Sequence, residues 1–299
     1  MALYRAQILD DIGIEPEVIM YNNTLEEYTT DASQELEISG HVNTFHAWFW
    51  NGYPEWTGDG RPPEEEKYVY MWEDILPEVI ETESTNVGTL LVDEGQDLPT
   101  GFYAALQFIT GEFTIFADEN QRMDEEVNST LDQIREATEL DDELSLTKNY
   151  RNTREIARLA REFYVGLETG KPELPDRRGE KPVVRPTESP EEAARFIADY
   201  ERTNDHEEIG VLVKNTDTQL RIHRLLKEDL ETENEVQVYS SRSSVEDYID
   251  FTSPGIKVLC FASSKGLEFD AVFLPEIQTF TSDLEDPSTK MELYVILSR

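Results

Sequence analysis

Short apolar runs recur along the chain, and each is bounded by polar or turn-forming residues. The run Leu90-Leu91-Val92 stops at the acidic pair Asp93-Glu94, as a buried parallel strand does where it reaches the edge of its sheet. The other runs that predict strands are Val18–Met20, Phe113–Phe116, Ile209–Val213, Val236–Tyr239, Ile256–Phe261 and Ala271–Leu274.

Segments with helical spacing of apolar residues alternate with these runs. They include Met1–Ile14, a helix starting at Leu25 after a Thr24 cap, and the segments Tyr68–Leu76, Phe102–Ile109, Ile156–Phe163, Glu191–Tyr200 and Gln219–Leu230. Residues 52–66 and 170–190 are rich in Gly, Pro and charge, which indicates surface loops. Strands that alternate with helices predict an α/β fold with mainly parallel sheets.

The acidic pair after the central strand is the first candidate for chemistry. Ligands of open α/β sheets bind beyond the carboxyl ends of the strands, where Asp93 and Glu94 lie. One carboxylate there can hold Mg²⁺ and its neighbour can orient or deprotonate water. An isolated Asp-Glu pair is more often only a polar turn, so the wider pattern has to decide between the two interpretations.

Asp93-Glu94-Gly95-Gln96-Asp97 resembles motif II of the UvrD/Rep-like superfamily 1 helicases, whose usual form is Asp-Glu-Ala-Gln-Asp. Other segments resemble further motifs in the family's order: residues 21–23 (Ia), 44–46 (Ib), 116–122 (III), 149–151 (IV), 263–270 (V) and 293–299 (VI). An ordered series over nearly the whole chain identifies it as similar to this family.

The resemblance implies two RecA-like lobes of the P-loop NTPase type: residues 1–148, N-terminally incomplete, and 149–299, C-terminally incomplete. It also implies a nucleotide cleft between them, ATP and Mg²⁺ as cofactors, and single-stranded DNA as partner. The roles it implies are Mg²⁺ binding by Asp93, water activation by Glu94, γ-phosphate contacts by Gln121, Arg151 and Arg299, adenine stacking by Tyr150, nucleotide coupling by Gly266 and Glu268, and DNA contacts by Asn22, Asn23, Phe45 and His46.

Residue-level alternatives stay open. Phe45 and His46 are either stacking rings for DNA or part of an aromatic helix core with Trp48, Phe49 and Trp50, at least two of which we expect to be core residues. Gln121 alone would be an ordinary solvated loop residue.

The phosphate-binding loop of the family, Gly-x-x-x-x-Gly-Lys-Ser/Thr, does not occur in the 299 residues, since Gly170-Lys171 is followed by proline and follows motif II. We therefore expect either a segment of a longer helicase or a remnant without ATPase activity that serves as a nucleic-acid or protein interaction module. A partner chain that supplies the missing loop is a weaker third possibility.

The surface of the protein is strongly acidic. The chain has 26 basic and 64 acidic residues, a net charge of −38 spread along its length. Such a surface repels a polyanion at ordinary salt, but at molar salt the Debye length is about 3 Å and the repulsion is screened. We expect a halophile's cytoplasmic protein, without a membrane span because no apolar run approaches ~20 residues. The single Cys260 excludes an internal disulfide, and the four histidines show no zinc spacing.

Overall fold

The computed structural model describes the chain except for residues 59, 83–86, 123–127, 141, 167–169, 205–207, 230–235, 240–248, 252 and 280–283. The chain separates into two compact units, Met1–Ser145 and Leu146–Arg299. The division lies close to the boundary predicted between residues 148 and 149, and the assignment of the two units as incomplete RecA-like lobes stays a prediction.

The first unit alternates helices with strands. Its elements are α1 (Ala2–Asp11), β1 (Glu17–Met20), α2 (Asn23–Glu35), β2 (His41–Thr44), α3 (Phe45–Thr57), β3 (Glu64–Glu66), β4 (Val69–Tyr70), α4 (Trp72–Glu81), β5 (Leu90–Val92), α5 (Thr100–Ile109), β6 (Phe113–Ile115) and α6 (Leu131–Thr138). Within the described residues, four of these strands form a parallel sheet in the order β2-β1-β5-β6, with Ile19 opposite Val92 and Val92 opposite Ile115. Strands β3 and β4 form a small antiparallel hairpin.

The second unit repeats the alternation. Its elements are α7 (Arg154–Arg161), α8 (Pro190–Thr203), β7 (Glu208–Val213), α9 (Thr216–Asp229), β8 (Val236–Tyr239), β9 (Gly255–Cys260), β10 (Ala271–Phe273) and α10 (Pro287–Ile296). Its described strands form a second parallel sheet in the order β10-β7-β9-β8. The predicted fold class, α/β with parallel sheets, is therefore confirmed.

Both sheets are organised by fully buried aliphatic strands. Leu90, Leu91 and Val92 of β5 have no exposed surface, and the core of the first unit lies between this sheet and helices α3, α4 and α5. Burying side chains of this kind contributes roughly 1.5–3 kcal/mol each, which is why continuous apolar runs become central strands. In the second unit β7 and β9 supply the equivalent core.

Three local predictions were wrong in detail. Helix α3 continues to Thr57 into the predicted loop, because Thr44 caps its start and Gly58 ends it in the left-handed conformation. The helix predicted from Tyr68 begins only at Trp72, because the residues before it form the β3–β4 hairpin. The cap of α2 is Asn22 rather than Thr24: the Asn22 side chain accepts a hydrogen bond from the Thr24 backbone N–H.

In the part of the chain that is described, no helix combines the length and the apolar character needed to cross a membrane.

Candidate functional site

The carboxyl ends of the four parallel strands in the first unit bring together residues that are far apart in sequence. In sheet order, β2 leads to Phe45 and His46, β1 to Tyr21 and Asn22, β5 to Asp93 and Glu94, and β6 to the segment Phe116–Gln121. All strands run in the same direction, so these segments leave the sheet at one edge. The edge has an aromatic part, after β2 and β1, and an acidic part, after β5 and β6.

Glu94 has a strained backbone at the start of the acidic part. The Asp93 N–H donates to the Ile19 carbonyl at 2.8 Å, which extends the ladder of β5 by one residue. Glu94 then takes a left-handed conformation with φ of +49°, although it is not a glycine. This conformation costs about 1–2 kcal/mol for an L-residue, and such strain concentrates at functional sites. Both carboxylates are half-buried.

Gln96 joins the two acidic segments, a role that the sequence analysis missed. Its side chain is fully buried; the amide nitrogen donates to Glu94 Oε2 at 2.6 Å and the amide oxygen accepts from the Asp118 N–H at 2.8 Å. A hydrogen bond to a carboxylate is charge-assisted and therefore among the stronger kinds. Gln96 thus sets the carboxylate of Glu94 relative to the loop after β6. The only sequence signal was its place inside the motif II resemblance.

Gly95 departs from the alanine usual in that motif, and the packing explains why. A Cβ atom on Gly95 would lie 2.7 Å from Ile115 Cγ2 and 2.8 Å from the Tyr103 hydroxyl. The Tyr103 hydroxyl donates to the Gly95 carbonyl. Burial, together with the charge of Asp97, raises the pKa of Tyr103 well above its usual value, so the hydroxyl keeps its proton and remains a donor.

Asp118 organises the loop that follows β6. Its Oδ1 accepts from the backbone and side-chain nitrogens of Asn120, both at 3.0 Å, and its Oδ2 accepts from Gln121 Nε2 at 3.0 Å. Gln121, predicted to contact the γ-phosphate, is therefore held by the Asp118 carboxylate in the segment after β6, the strand next to β5 with its Asp93-Glu94 pair.

The acidic part suits a cation shared with a ligand rather than an all-protein metal cage. In the described residues, no group of three or more His, Cys, Asp or Glu side chains is arranged to hold a metal. Mg²⁺ usually takes one or two carboxylates, waters and substrate phosphate oxygens, so Asp93 beside Glu94 fits that donor set.

The aromatic part divides the residues predicted to contact DNA. Phe45 is 0% exposed and packs on Phe49 and Phe102 with ring centroids 5.7 and 5.0 Å apart. Phe45 is a core residue, and the predicted contact of its ring with DNA is wrong because neither ring face can reach a base. His46 is partly exposed; Asn22 is committed to capping α2, and Asn23 is the exposed first residue of that helix. Trp48 and Phe49 are buried, as expected.

The second unit holds the remaining predicted site residues. The Asn149 Oδ1 atom accepts from the backbone N–H groups of Arg151 and Asn152, a tight turn that leaves Tyr150 72% exposed. Arg151 Nε donates to Glu268 Oε1 at 2.7 Å. Two residues predicted to serve the nucleotide thus bind to each other.

The last helix of the second unit is tied to the same turn. Asn152 Nδ2 donates to the Ser298 carbonyl at 3.1 Å, next to the buried Arg299. Gly266 has φ of +83°, in the left-handed region that favours glycine, which accounts for its residue type without a ligand. The structure therefore brings Glu268 and the Ser298 carbonyl to the segment 149–152.

Comparisons with known proteins do not show a family for this chain. No protein-family model and no curated protein matches the chain. Among solved structures, the Escherichia coli DEAH/RHA helicase HrpB matches with a TM-score of 0.35 and 9% identity, over 87% of this chain and 31% of that chain. T4 UvsW matches with a TM-score of 0.26 and 12% identity, over 88% of this chain and 52% of that chain.

The chain thus spans about a third and about half of these two neighbours. At TM-scores below 0.5 these two likenesses carry no argument, and the fold assignment rests on the two parallel sheets themselves.

Proposed function

We propose that the chain is an ATP-dependent DNA helicase or translocase of the UvrD/Rep type, or a part of one. The observation that supports this most is the acidic edge of the first sheet. Asp93-Glu94 and Asp118–Gln121 follow adjacent parallel strands and are hydrogen-bonded through Gln96. Carboxylates at the ends of parallel strands are where a Mg²⁺-bound nucleotide is held in open α/β sheets.

Each residue of the acidic edge takes one role in this proposal. Asp93 would hold Mg²⁺, and the bound ion would supply positive charge beside the phosphate oxygens of the nucleotide. Glu94 accepts the proton of the attacking water, and its strained backbone together with the Gln96 amide fixes where its carboxylate points. Gln121 orients the water or senses the γ-phosphate from its position on Asp118.

The roles proposed for the second unit rest on the resemblance alone. They are adenine stacking by the exposed Tyr150, γ-phosphate binding by Arg151 and Arg299, and nucleotide coupling by Gly266 and Glu268. A planar guanidinium matches phosphate oxygens as well as it matches a carboxylate, so Arg151 would exchange Glu268 for a phosphate when ATP binds.

Single-stranded DNA is the proposed polymer partner. Asn23 and His46 follow the carboxyl ends of β1 and β2, beside the acidic edge, and both keep exposed surface. The side chain of Asn22 caps α2, so this proposal gives Asn22 only a backbone contact with DNA.

The test is ATP turnover by the purified chain in molar KCl, with and without single-stranded DNA. Glu94→Gln is the informative variant, because its amide oxygen can still accept the hydrogen bond from Gln96 while the general base is lost. We expect a fall of about 100-fold or more in DNA-stimulated turnover. Glu112→Gln is the matched control, since Glu112 is an exposed carboxylate before β6, at the opposite edge of the same sheet.

Equal turnover by both variants, or none by the folded wild type, would refute the catalytic proposal for this chain. A second candidate then applies: a non-catalytic helicase remnant that acts as a nucleic-acid or protein interaction module. It is favoured by the lack of a Gly-x-x-x-x-Gly-Lys-Ser/Thr segment in the 299 residues. Turnover that appears only when a chain carrying that segment is added would favour the partner hypothesis instead.

The proposal includes a high-salt cytoplasm. A net charge of −38 destabilises a compact chain by self-repulsion unless salt screens it. We expect the far-ultraviolet circular dichroism of the folded chain to require molar KCl, and full folding in dilute buffer would contradict a halophilic origin.

A further inference from the structure

An exposed group of aromatic rings lies at the β2 and β1 part of the sheet edge, and none of its tyrosines was predicted as a site residue. The ring of His46 stacks on Tyr68, with centroids 4.4 Å apart and planes 24° from parallel. Tyr21 meets the same histidine edge-on at 5.2 Å. Tyr70 lies beneath, and its hydroxyl is 3.4 Å from His46 Nδ1. Three tyrosine side chains from two separate segments thus surround one imidazole.

Tyr68 is held in an unfavourable backbone conformation at the turn of the β3–β4 hairpin. Its φ is +71°, a region where glycine or asparagine is the usual turn residue. The Tyr68 N–H donates to Glu64 Oε2 at 3.1 Å, which helps to hold the turn. A tyrosine kept at a glycine position, with 49% of its surface exposed, points to a function for its ring.

The surroundings of the ring suit stacking better than simple charge attraction. Burial, only partly opposed by Glu64, lowers the pKa of His46 to about 4, so the imidazole is a neutral ring at neutral pH. Lys67 supplies one ammonium group, 4.6 Å from the centre of the Tyr68 ring. Glu64, Glu65 and Glu66 precede it, so the patch has no basic excess. Base stacking on an aromatic ring persists beside acidic side chains at high salt. Attraction between basic side chains and phosphate is instead weakened by the salt.

We propose that Tyr68, supported by His46 and flanked by Tyr21, is a stacking platform for an unpaired base of single-stranded nucleic acid. His46 backs one face of the Tyr68 ring, the base takes the opposite face, and the Lys67 ammonium moves to the adjoining phosphate. The inference rests on the nucleic-acid part of the proposed function. It adds a binding residue from a hairpin that lies outside every recognised motif.

The test measures binding of a fluorescent oligothymidine of about 15 nucleotides by anisotropy, without ATP, in molar KCl. Tyr68→Gly removes the ring and relieves the positive φ, so loss of binding cannot be blamed on added strain. We expect its Kd to rise about 10-fold or more, while Tyr68→Phe keeps most of the affinity because the stacking face is retained. Tyr4→Ala is the matched control: Tyr4 is 69% exposed on α1 of the same unit, and its removal should leave Kd unchanged.

An abasic oligonucleotide of equal length separates stacking from phosphate contacts. The wild type should bind it about as weakly as Tyr68→Gly binds oligothymidine. The platform is overturned if Tyr68→Gly binds like the wild type, if the abasic strand binds as well as oligothymidine, or if the wild type binds neither. Failure of the platform and failure of catalysis are distinguishable: Tyr68-dependent binding without ATP turnover removes only the catalytic proposal, and DNA-stimulated turnover insensitive to Tyr68 removes only the platform.

Discussion

Two substitutions of Gln96 test the hydrogen-bonded bridge that this residue forms at the acidic edge. Gln96→Met keeps the side chain's length but removes both hydrogen bonds, to Glu94 Oε2 and from the Asp118 N–H. Gln96→Glu keeps an acceptor for the Asp118 N–H but replaces the donor with a second carboxylate facing Glu94. The two variants therefore separate the loss of the bridge from the addition of a like charge.

The expected magnitudes follow from the two bonds. Losing a hydrogen bond to a charged acceptor costs about 1.5–3 kcal/mol, and a partly buried N–H without its partner adds about 1 kcal/mol. Gln96→Met should therefore lower the free energy of unfolding of the first unit by about 2.5–4 kcal/mol. Gln96→Glu should also lower that free energy, because the introduced carboxylate repels Glu94 and cannot donate the hydrogen bond that the amide made.

Tryptophan emission is the assay, because the four tryptophans, Trp48, Trp50, Trp56 and Trp72, all lie in the first unit. A loss of about 2.5–4 kcal/mol corresponds to a fall of about 1.2–2 M in the urea midpoint for an m-value near 2 kcal/mol/M. Gln107→Met is the control, since Gln107 is exposed and its 3.5 Å contact to the Ala137 carbonyl is marginal. The reasoning is refuted if the Gln96→Met midpoint lies within about 0.3 M of the wild type.

Three further predictions follow from the packing and the titratable groups. Gly95→Ala, although it restores the motif's usual residue, should cost the first unit about 1–3 kcal/mol in the urea assay because the new methyl overlaps Ile115 and Tyr103; an unchanged midpoint would contradict this packing. The depressed pKa of His46 means that the unfolded chain binds more protons between about pH 4 and 6.5, so stability falls as pH drops through that window. Proton NMR should show His46 titrating near pH 4, and His46→Gln should flatten this dependence; titration near 6.5 would contradict it. Burial lowers the pKa of Lys257, against the charges of Glu208 and Asp250, so the second unit should gain stability as pH rises toward 10.5. Thermal unfolding by circular dichroism should show that slope for the wild type and not for Lys257→Met.

The positions of strands and helices followed from local patterns. The run before Asp93 became β5, and the run Ile209–Val213 became most of β7, because a continuous apolar segment gains most from burial on both faces of a sheet. Errors occurred where local signals conflict with tertiary contacts. Helix α3 contains Pro54 and still continues through a segment rich in turn residues, since its aromatic face packs in the core.

The candidate site was only partly predictable for the same reason. Asp93 and Glu94 are recognisable because they follow a buried strand, and their neighbours in sequence are fixed by the chain itself. Phe45 was ambiguous, because an aromatic residue after a strand can face either a ligand or the core, and only the packing of α3 on α5 decides it. Because Phe45 is buried, the exposed aromatic surface at this edge of the sheet includes His46, Tyr21 and Tyr68 instead.

Sequence by itself determined the α/β class, the strands that carry the site, and the carboxylates at their ends, because each depends on residues adjacent in the chain. Tertiary structure alone decided the bridge from Glu94 through Gln96 to Asp118, the pairing of Arg151 with Glu268 and the stacking of Tyr68 on His46. The last two contacts join residues separated by 117 and 22 positions, while the first depends on the parallel pairing of β5 and β6. A one-dimensional pattern carries no distance between such residues, and only folding the chain brings their side chains together.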